Sequence, residues 1–196
     1  MTAPENYSAL LQEFKKYTTL SSADEAHIVN AFRYKKIRKN QLLVQPPDVA
    51  RFEHFVISGC LVEYFIGEDG IQHSLLFAPE GWWMTDLKSF SQQQESKYFI
   101  QAVEESELLT IDRDALEKLL DLIPSLHSYF RKLYQGAIIS QKERILNVLS
   151  TKLEERYIRF LQKYPQLENR LPQYLIASYL GVTAEFFSRV KSKMNK

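Results

Sequence analysis

The stretch "IASYLGVTAEFFSRVKSKMNK", residues 176–196, has the pattern of two short helices joined by a tight turn. Gly181 can take the left-handed backbone conformation that such a turn requires. The small side chain of Ala177 would let the two helices approach closely, and Phe187 and Val190 would bury the second helix against the first. The spacing therefore predicts a C-terminal helix-turn-helix.

The second of these helices is expected to expose a polar face near its start. In a DNA-binding helix-turn-helix this face enters the major groove, where side chains reach base edges while lysines and hydroxyls hold phosphates. Arg189 can donate two hydrogen bonds to a guanine, and Glu185 can accept one from a cytosine amino group. The predicted DNA-binding residues are Thr183, Ala184, Glu185, Ser188, Arg189, Lys191 and Lys193, and Lys196 follows them.

The charge distribution supports this prediction. Residues 150–196 carry nine Lys and Arg against four Asp and Glu, a net charge of +5, whereas residues 1–149 carry sixteen against twenty, a net charge of −4. A basic segment on an acidic body is typical of a protein that binds a polyanion, and nucleic acid is the polyanion we expect. Two alternatives stay open: a lysine-rich terminus that is merely solvated, and terminal helices that pack without touching DNA.

The N-terminal half of the chain changes from helical to strand periodicity. Residues 7–35 read as two helices, the second capped by Ser21 or Ser22. From about Gln41, short runs rich in β-branched and aromatic residues alternate with turn signals, among them "GEDG" at residues 67–70. Short strands at this spacing predict a β-sandwich or barrel.

Helical spacing returns after Asp112. Pro124 suits the first turn of a long helix, which would reach about Val148. Thr151 and Glu154 match a capping box for the next helix. On the long helix, apolar residues at alternating spacings of three and four predict a seam for a partner helix. The predicted dimer-interface residues are Leu126, Phe130, Leu133 and Ala137. An ordinary helix packed on its own domain is the alternative.

This order of elements resembles the Crp/Fnr family of bacterial transcription regulators over nearly the whole chain. The segment "IASYLGVTAEFFSRVK" is similar to the family's recognition unit, and "PEGWWMTDLKSFSQQQESKYFIQAVEE", residues 79–105, to its nucleotide-binding cassette. The resemblance implies an α+β fold: an N-terminal double-stranded β-helix (a jelly-roll-like β-roll) sensor domain, a long dimerisation helix and a C-terminal helix-turn-helix domain. It also implies a homodimer that reads a palindromic site in double-stranded DNA.

The resemblance sets the expected domain boundaries. Residues 1–123 would form the β-roll with its N-terminal helices, residues 124–149 the dimerisation helix, and residues 150–196 the DNA-binding domain. Many family members continue into a β-hairpin wing, which we do not expect in this sequence. RNA polymerase and an unidentified small-molecule effector are further candidate partners.

The cassette departs from the cyclic-nucleotide-binding members of the family. Those members carry Gly-Glu and, ten residues later, Arg-Ser, where the glutamate takes the ribose hydroxyl and the arginine neutralises the cyclic phosphate. The corresponding positions here are Thr85-Asp86 and Ser96-Lys97, the candidate effector-pocket residues. Ser96 has no charge to offer a phosphate, and Lys97, one position further along a strand, would point to the opposite face. We therefore expect no cyclic AMP binding.

Other functional classes find little support. Cys60 is the single cysteine, so neither a disulfide nor a cysteine-bound zinc or iron–sulfur site is expected, and we interpret it as a small buried residue. The four histidines are scattered without an HxH pair, and no Ser-His-Asp or Cys-His arrangement is evident, so we expect no enzyme, metal, haem or other cofactor. No run of about 18 apolar residues and no secretory signal are evident, which predicts a cytoplasmic protein with no membrane partner.

Overall fold

The computed structural model describes residues 5–194. The α-helices in this range are Ser8–Lys15 (α1), Ser22–Ala31 (α2), Leu87–Gln92 (α3), Arg113–Leu122 (α4), Leu126–Ser150 (α5), Leu153–Lys163 (α6), Gln173–Leu180 (α7) and Ala184–Met194 (α8). The strands are Arg33–Ile37 (β1), Leu42–Val44 (β2), Phe52–Ser58 (β3), Leu61–Ile66 (β4), Gln72–Ala78 (β5), Trp83–Met84 (β6), Phe99–Ala102 (β7) and Ser106–Asp112 (β8).

The described strands form two four-stranded sheets, with strand orders β1-β8-β3-β6 and β2-β7-β4-β5. In the first sheet β3 lies antiparallel to β8, with Phe55 opposite Leu109. Both of these side chains are buried, as expected of a sheet with one face on the core. The "GEDG" segment is the turn between β4 and β5, and Gly70 there has a φ of 76°. The predicted α+β fold with a β-roll is therefore confirmed.

The structure differs from the sequence prediction at two places, β1 and α3. The second helix ends at Ala31, and Arg33–Ile37 is a strand paired antiparallel with β8, where helix had been predicted. The pattern "RYKKI" directly follows a helix and fits either periodicity, so pairing with β8 decides its conformation. Helix α3 was not predicted because six residues carry too little periodic signal. Ser21 is the cap of α2, and its hydroxyl and the Asp24 carboxylate form a reciprocal capping box.

The chain folds as two compact units. The first comprises the described residues up to Glu63 together with Phe77–Leu133, and the second comprises Tyr64–Leu76 with the described residues from Tyr134 onward. The predicted boundaries at residues 123 and 149 stay predictions.

An aromatic cluster forms part of the core of the first unit. The Trp83 ring lies 6.3 Å from that of Phe14 and 5.4 Å from that of Phe130, measured between centroids. The indole Nε1 of Trp83 donates a hydrogen bond of 2.7 Å to the Tyr129 hydroxyl. Burial raises the pKa of Tyr129. Trp83, which is half-buried, thus packs against aromatic residues of its own unit.

Helix α5 corrects part of the predicted dimer seam. Leu126 and Phe130 are buried within the first unit, so they have almost no surface left for a partner. Heptad-like spacing marks an apolar face but cannot distinguish the chain's own core from a second subunit. Leu133 is half-buried and Ala137 exposed, and their place in an interface stays a prediction.

The start of α6 also differs from the prediction. The N-cap residue is Lys152, without a side-chain cap, and the Thr151 hydroxyl donates instead to the carbonyl of Asn147 at 2.8 Å. The Thr151–Glu154 capping box is therefore wrong, because α5 runs on to Ser150 and takes the hydroxyl of Thr151 for its last turn. Helix α6 ends at Lys163, two residues before Pro165, a residue that cannot continue a helix.

Within residues 5–194, no helix combines the length and the apolar character needed to cross a membrane.

Candidate nucleic-acid interface and effector pocket

The turn between α7 and α8 has the geometry that the sequence predicts. Gly181 adopts a φ of 75°, in the left-handed region that favours glycine. The Val182 amide donates to the carbonyl of Ala177 at 3.1 Å, and the Gly181 amide to that of Ser178 at 3.1 Å. These bonds close the C-terminus of α7 and turn the chain sharply into the next helix.

Thr183 starts α8. Its hydroxyl oxygen accepts a hydrogen bond from the Phe186 amide at 3.2 Å, and its carbonyl accepts one from the Phe187 amide at 3.0 Å. A threonine at this position satisfies one of the amides that a helix N-terminus leaves without a partner. The start of the second helix is thus held by its own cap.

Buried Phe187 sets the rotation of α8. Its ring is fully buried and meets the ring of Tyr157 edge-on, with centroids 5.1 Å apart. Because Phe187 points inward, Glu185, Ser188 and Arg189 lie on the opposite side, and all three are exposed. Ala184 is half-buried. The predicted outward face therefore exists; its contact with DNA stays a prediction.

Lys191 is partly buried against its own unit, unlike the exposed residues of this face, and its predicted contact with DNA stays a prediction. Its ammonium group lies 2.9 Å from the Glu168 carboxylate, and its side chain is only 19% exposed. Burial opposes the charge on Lys191, but hydrogen bonds to Glu168 and Tyr157 outweigh it and raise the lysine pKa. Tyr157 also donates a hydrogen bond to Glu168. Lys193 is exposed, as expected of a phosphate contact, and Lys196 lies outside the described residues.

Two arginines close the carboxyl end of α7. Arg156 donates to the carbonyl of Leu180 at 2.6 Å, and Arg144 donates to that of Tyr179 at 2.9 Å. Cations at a helix C-terminus are stabilised by the helix dipole. The two guanidinium groups therefore bind backbone carbonyl groups of the same chain. The count of charges along the sequence could not show this.

Ser178 joins α7 to the β4–β5 hairpin inside the second unit. Its hydroxyl donates to the carbonyl of Gln72 at 2.7 Å and accepts from the amide of Ser74 at 2.8 Å. Arg144 adds a hydrogen bond of 2.9 Å to the Ser74 carbonyl. Sequence reasoning missed this site, although a serine inside the apolar run "LIASYL" was a signal that a polar partner exists.

An exposed apolar surface runs along α5. The exposed side chains, named here the α5 stripe, are Ile138, Ile139, Ile145, Leu146 and Leu149. Leu149 is 80% exposed. Residues of the stripe recur seven apart, which keeps them on one side of the helix. The stripe has the pattern of an interface and lies further along α5 than the predicted seam.

Asp86 and Ser96 meet in the β-roll. The Ser96 hydroxyl donates to the Asp86 carboxylate at 2.8 Å and accepts from the Tyr98 amide at 3.0 Å. The carboxylate also caps α3, since it accepts from the amides of Lys88 and Ser89, each at 3.1 Å. Asp86 and Ser96 are both buried. The two positions that would hold a cyclic nucleotide are thus bonded to each other.

The other two candidate pocket residues lie elsewhere. Lys97 is exposed and its neighbour Ser96 is buried, but both residues precede β7, so the alternation along a strand on which the expected opposite direction rested does not apply to them. Thr85, which directly follows β6, donates its hydroxyl to the carbonyl of Phe52 on β3 at 3.0 Å. Neither side chain takes part in the hydrogen bond between Asp86 and Ser96, and the place of both residues in an effector pocket stays a prediction.

Glu63 is a member of this cluster that sequence reasoning missed. It is buried on β4, and burial, assisted by the negative charge of Asp86, raises the pKa of its carboxyl group to about 8. Burial and the charges of Glu63 and Asp86 also raise the pKa of Tyr98. A glutamate inside the strand "LVEYFI" was the available signal. The cluster contains the carboxyl groups of Glu63 and Asp86, whereas the binding of a phosphate group would require positively charged side chains.

Comparison with known proteins finds a matching family model and relatives that align over most of the chain. Residues 34–122 match the family model of the cyclic nucleotide-binding domain. The regulatory protein HlyX of Actinobacillus pleuropneumoniae is 29% identical over 192 residues, covering 91% of this chain and 78% of that protein. The fumarate and nitrate reduction regulatory protein of Yersinia pestis is 29% identical over 177 residues, covering 84% of this chain and 69% of that protein.

Solved structures share the fold. FixK2 from Bradyrhizobium japonicum superposes with a TM-score of 0.72 at 17% identity, covering 84% of each chain. The c-di-GMP-responsive global regulator CLP of Xanthomonas campestris gives a TM-score of 0.71 at 15% identity, covering 89% of this chain and 92% of that one. At these identities the likeness concerns the fold alone.

Proposed function

The chain belongs to the Crp/Fnr family of transcription regulators, and we propose that it acts as a homodimer that reads a two-fold symmetric DNA site through α8. The observation that carries the proposal is the exposed face of Glu185, Ser188 and Arg189 on a helix held by buried Phe187. Proteins of this family are regulators rather than enzymes, and they bind DNA as dimers.

Each residue of the face has a chemical role in this proposal. Arg189 donates two hydrogen bonds to the major-groove edge of a guanine, and Glu185 accepts one from a cytosine amino group. Ser188 and Thr183 donate hydroxyl protons to a base edge or a phosphate, and Lys193 adds a phosphate contact. Each bidentate base contact would contribute about 1–3 kcal/mol of discrimination.

The α5 stripe provides the dimer contact in this proposal. Exposed isoleucine and leucine side chains recurring seven apart along α5 would be buried by the same stripe of a second copy. Two copies related in this way would present two α8 helices to successive turns of the major groove. We place this dimer in the cytoplasm, with RNA polymerase as a candidate partner on DNA.

The effector, if the protein has one, is not cyclic AMP in this proposal. Ser96 brings no charge, and the buried carboxylate of Asp86 would repel a phosphate. Cys60, the single cysteine, is buried, and a cysteine-bound iron–sulfur cluster requires several cysteine ligands. The proposed regulator therefore binds DNA without a nucleotide.

In vitro selection from random duplex DNA by the purified protein, with no nucleotide added, tests the proposal. We expect a palindromic consensus whose half-sites are about one helical turn apart. A parallel selection with cyclic AMP should return the same consensus. If a folded, dimeric protein enriches no sequence in either selection, the DNA-reading function is wrong, and a β-roll that binds another ligand or a protein becomes the better explanation.

Calorimetric titration of the protein with cyclic AMP tests the pocket separately. We expect no saturable heat, because the Asp86–Ser96 pair would have to separate around a phosphate to which Ser96 offers no positive charge. Saturable binding would overturn this part of the proposal and leave DNA reading intact.

A further inference from the structure

Phe186 is an exposed aromatic side chain on the polar side of α8. It is 44% exposed, whereas its neighbour Phe187 is fully buried. A phenylalanine left in water gains little from folding, since its stabilising effect comes from removing apolar area from water. Its position beside the proposed reading residues suggests that its apolar surface is buried when DNA is bound.

The backbone and side chain of Phe186 are both held in place. Its amide donates to the hydroxyl of the helix cap Thr183 at 3.2 Å. The guanidinium carbon of Arg189 lies 5.9 Å from the centroid of the Phe186 ring, within the range of a cation–π interaction. The ring and the guanidinium group are therefore neighbours on one surface, three residues apart along the helix.

The major groove offers one apolar group to such a ring. Thymine carries a C5-methyl group there, and side chains such as phenylalanine recognise it by apolar contact. We propose that Phe186 is a specificity-determining residue that packs against a thymine methyl group within one or two base pairs of the guanine contacted by Arg189. This inference rests on the proposed function, because it requires α8 to lie in the major groove.

Replacement of thymine by deoxyuridine tests the contact directly, because it removes the methyl group and keeps every hydrogen-bonding atom. In the duplex recovered by selection, each thymine is replaced singly, and affinity is measured by fluorescence anisotropy. We expect one position per half-site at which deoxyuridine weakens binding by the wild-type protein about fourfold, the value for one buried methyl-sized group. Other thymines serve as internal controls.

Two variants assign the effect to Phe186. Phe186→Ala should bind the thymine and deoxyuridine duplexes equally at that position while it retains the guanine preference. Phe186→Leu keeps an apolar side chain but loses the aromatic ring, so it should retain most of the sensitivity to the methyl group. Because the side chain is exposed, both variants should unfold at the wild-type temperature, which circular dichroism checks.

Three results would overturn the inference, and they are distinguishable. Wild-type protein that binds its site but is insensitive to deoxyuridine everywhere would exclude a methyl contact and leave the proposed function standing. Equal losses for Phe186→Ala and Phe186→Leu on both duplexes, together with a lost guanine preference, would show that the ring only positions Arg189. Folded, dimeric wild-type protein without sequence preference would refute the proposed function itself.

Discussion

The outward face of α8 and the cluster around Asp86 are the two candidate sites of this chain, yet the two regions use their polar groups differently. On α8, Glu185 and Arg189 are exposed, and the fold holds the helix through buried Phe187. In the β-roll, Asp86 and Ser96 are buried and bonded to each other and to backbone amides. Turning an already satisfied polar group toward a ligand breaks its existing hydrogen bonds, so the exposed face of α8 is the stronger candidate for recognition.

The largest effect is expected at the surface that brings two copies of α8 together. Ile145→Asp places a carboxylate in the α5 stripe, where burial of an unpaired charge would cost several kcal/mol. We expect a folded monomer by light scattering and loss of binding to a two-half-site duplex. Leu122→Asp, at an exposed leucine of α4 outside the stripe, is the matched control and should remain dimeric. A dimeric Ile145→Asp variant would move the interface elsewhere, with Leu133 and Ala137 the next residues to change.

The second-largest effect is expected for Arg189, on the exposed face of α8. Arg189→Ala should lose about 1–3 kcal/mol of discrimination per half-site, because the bidentate contact to guanine disappears. Fluorescence anisotropy with the selected duplex and a shuffled duplex measures this difference, and the thermal transition should be unchanged because Arg189 is exposed. A variant that still separates the two duplexes as the wild type does would remove Arg189 from the reading face.

The pH dependence of stability tests the buried cluster. Burial, assisted by Asp86, raises the pKa of Glu63 in the folded protein to about 8, against 4.5 for the ordinary carboxyl group. Between these values the folded state keeps a proton that the unfolded state has released. The free energy of unfolding should therefore fall as pH rises, by up to about 1.4 kcal/mol per pH unit from this group.

Glu63→Gln stays neutral and should remove that contribution. Urea denaturation of both proteins at pH 5.5 and pH 7.5 measures it, and the wild type should lose more stability between the two values than the variant. Equal losses would mean that Glu63 is already ionised in the folded protein, and the cluster would be less strongly buried than we describe.

The smallest expected effects separate two lysines of the same helix. Lys193→Ala should weaken binding to all duplexes alike and reduce the log–log salt slope by about 0.9 per lost phosphate contact. Lys191→Ala should leave the salt slope unchanged and reduce stability by at most about 1 kcal/mol, because its partner is Glu168. Anisotropy titrations across a salt series distinguish the two, and the reverse pattern would support the predicted DNA contact of Lys191.

Local patterns predicted most of the elements and the reading face. Gly181 and Phe187 determine a turn and an inward direction within seven residues of chain, so the exposure of Glu185, Ser188 and Arg189 followed from spacing alone. The strands from Leu42 onward followed in the same way, from β-branched residues and turn signals. Predictions failed where one sequence pattern is compatible with two structures. The segment "RYKKI" is compatible with a helix or a strand. An apolar seam such as Leu126 and Phe130 can pack against a second subunit or within the chain's own core.

By itself, the sequence determined most of the elements and the side chains that α8 exposes, because these depend on neighbours within one or two turns of helix or one strand. Only the tertiary structure decided which polar groups are already used. It joins Ser96 to Asp86, Lys191 to Glu168 and Arg144 to the end of α7 across long stretches of chain. Such pairings depend on distances between elements, on which the periodicity of a single element carries no information, and they decide which charged and polar side chains remain free to recognise a ligand.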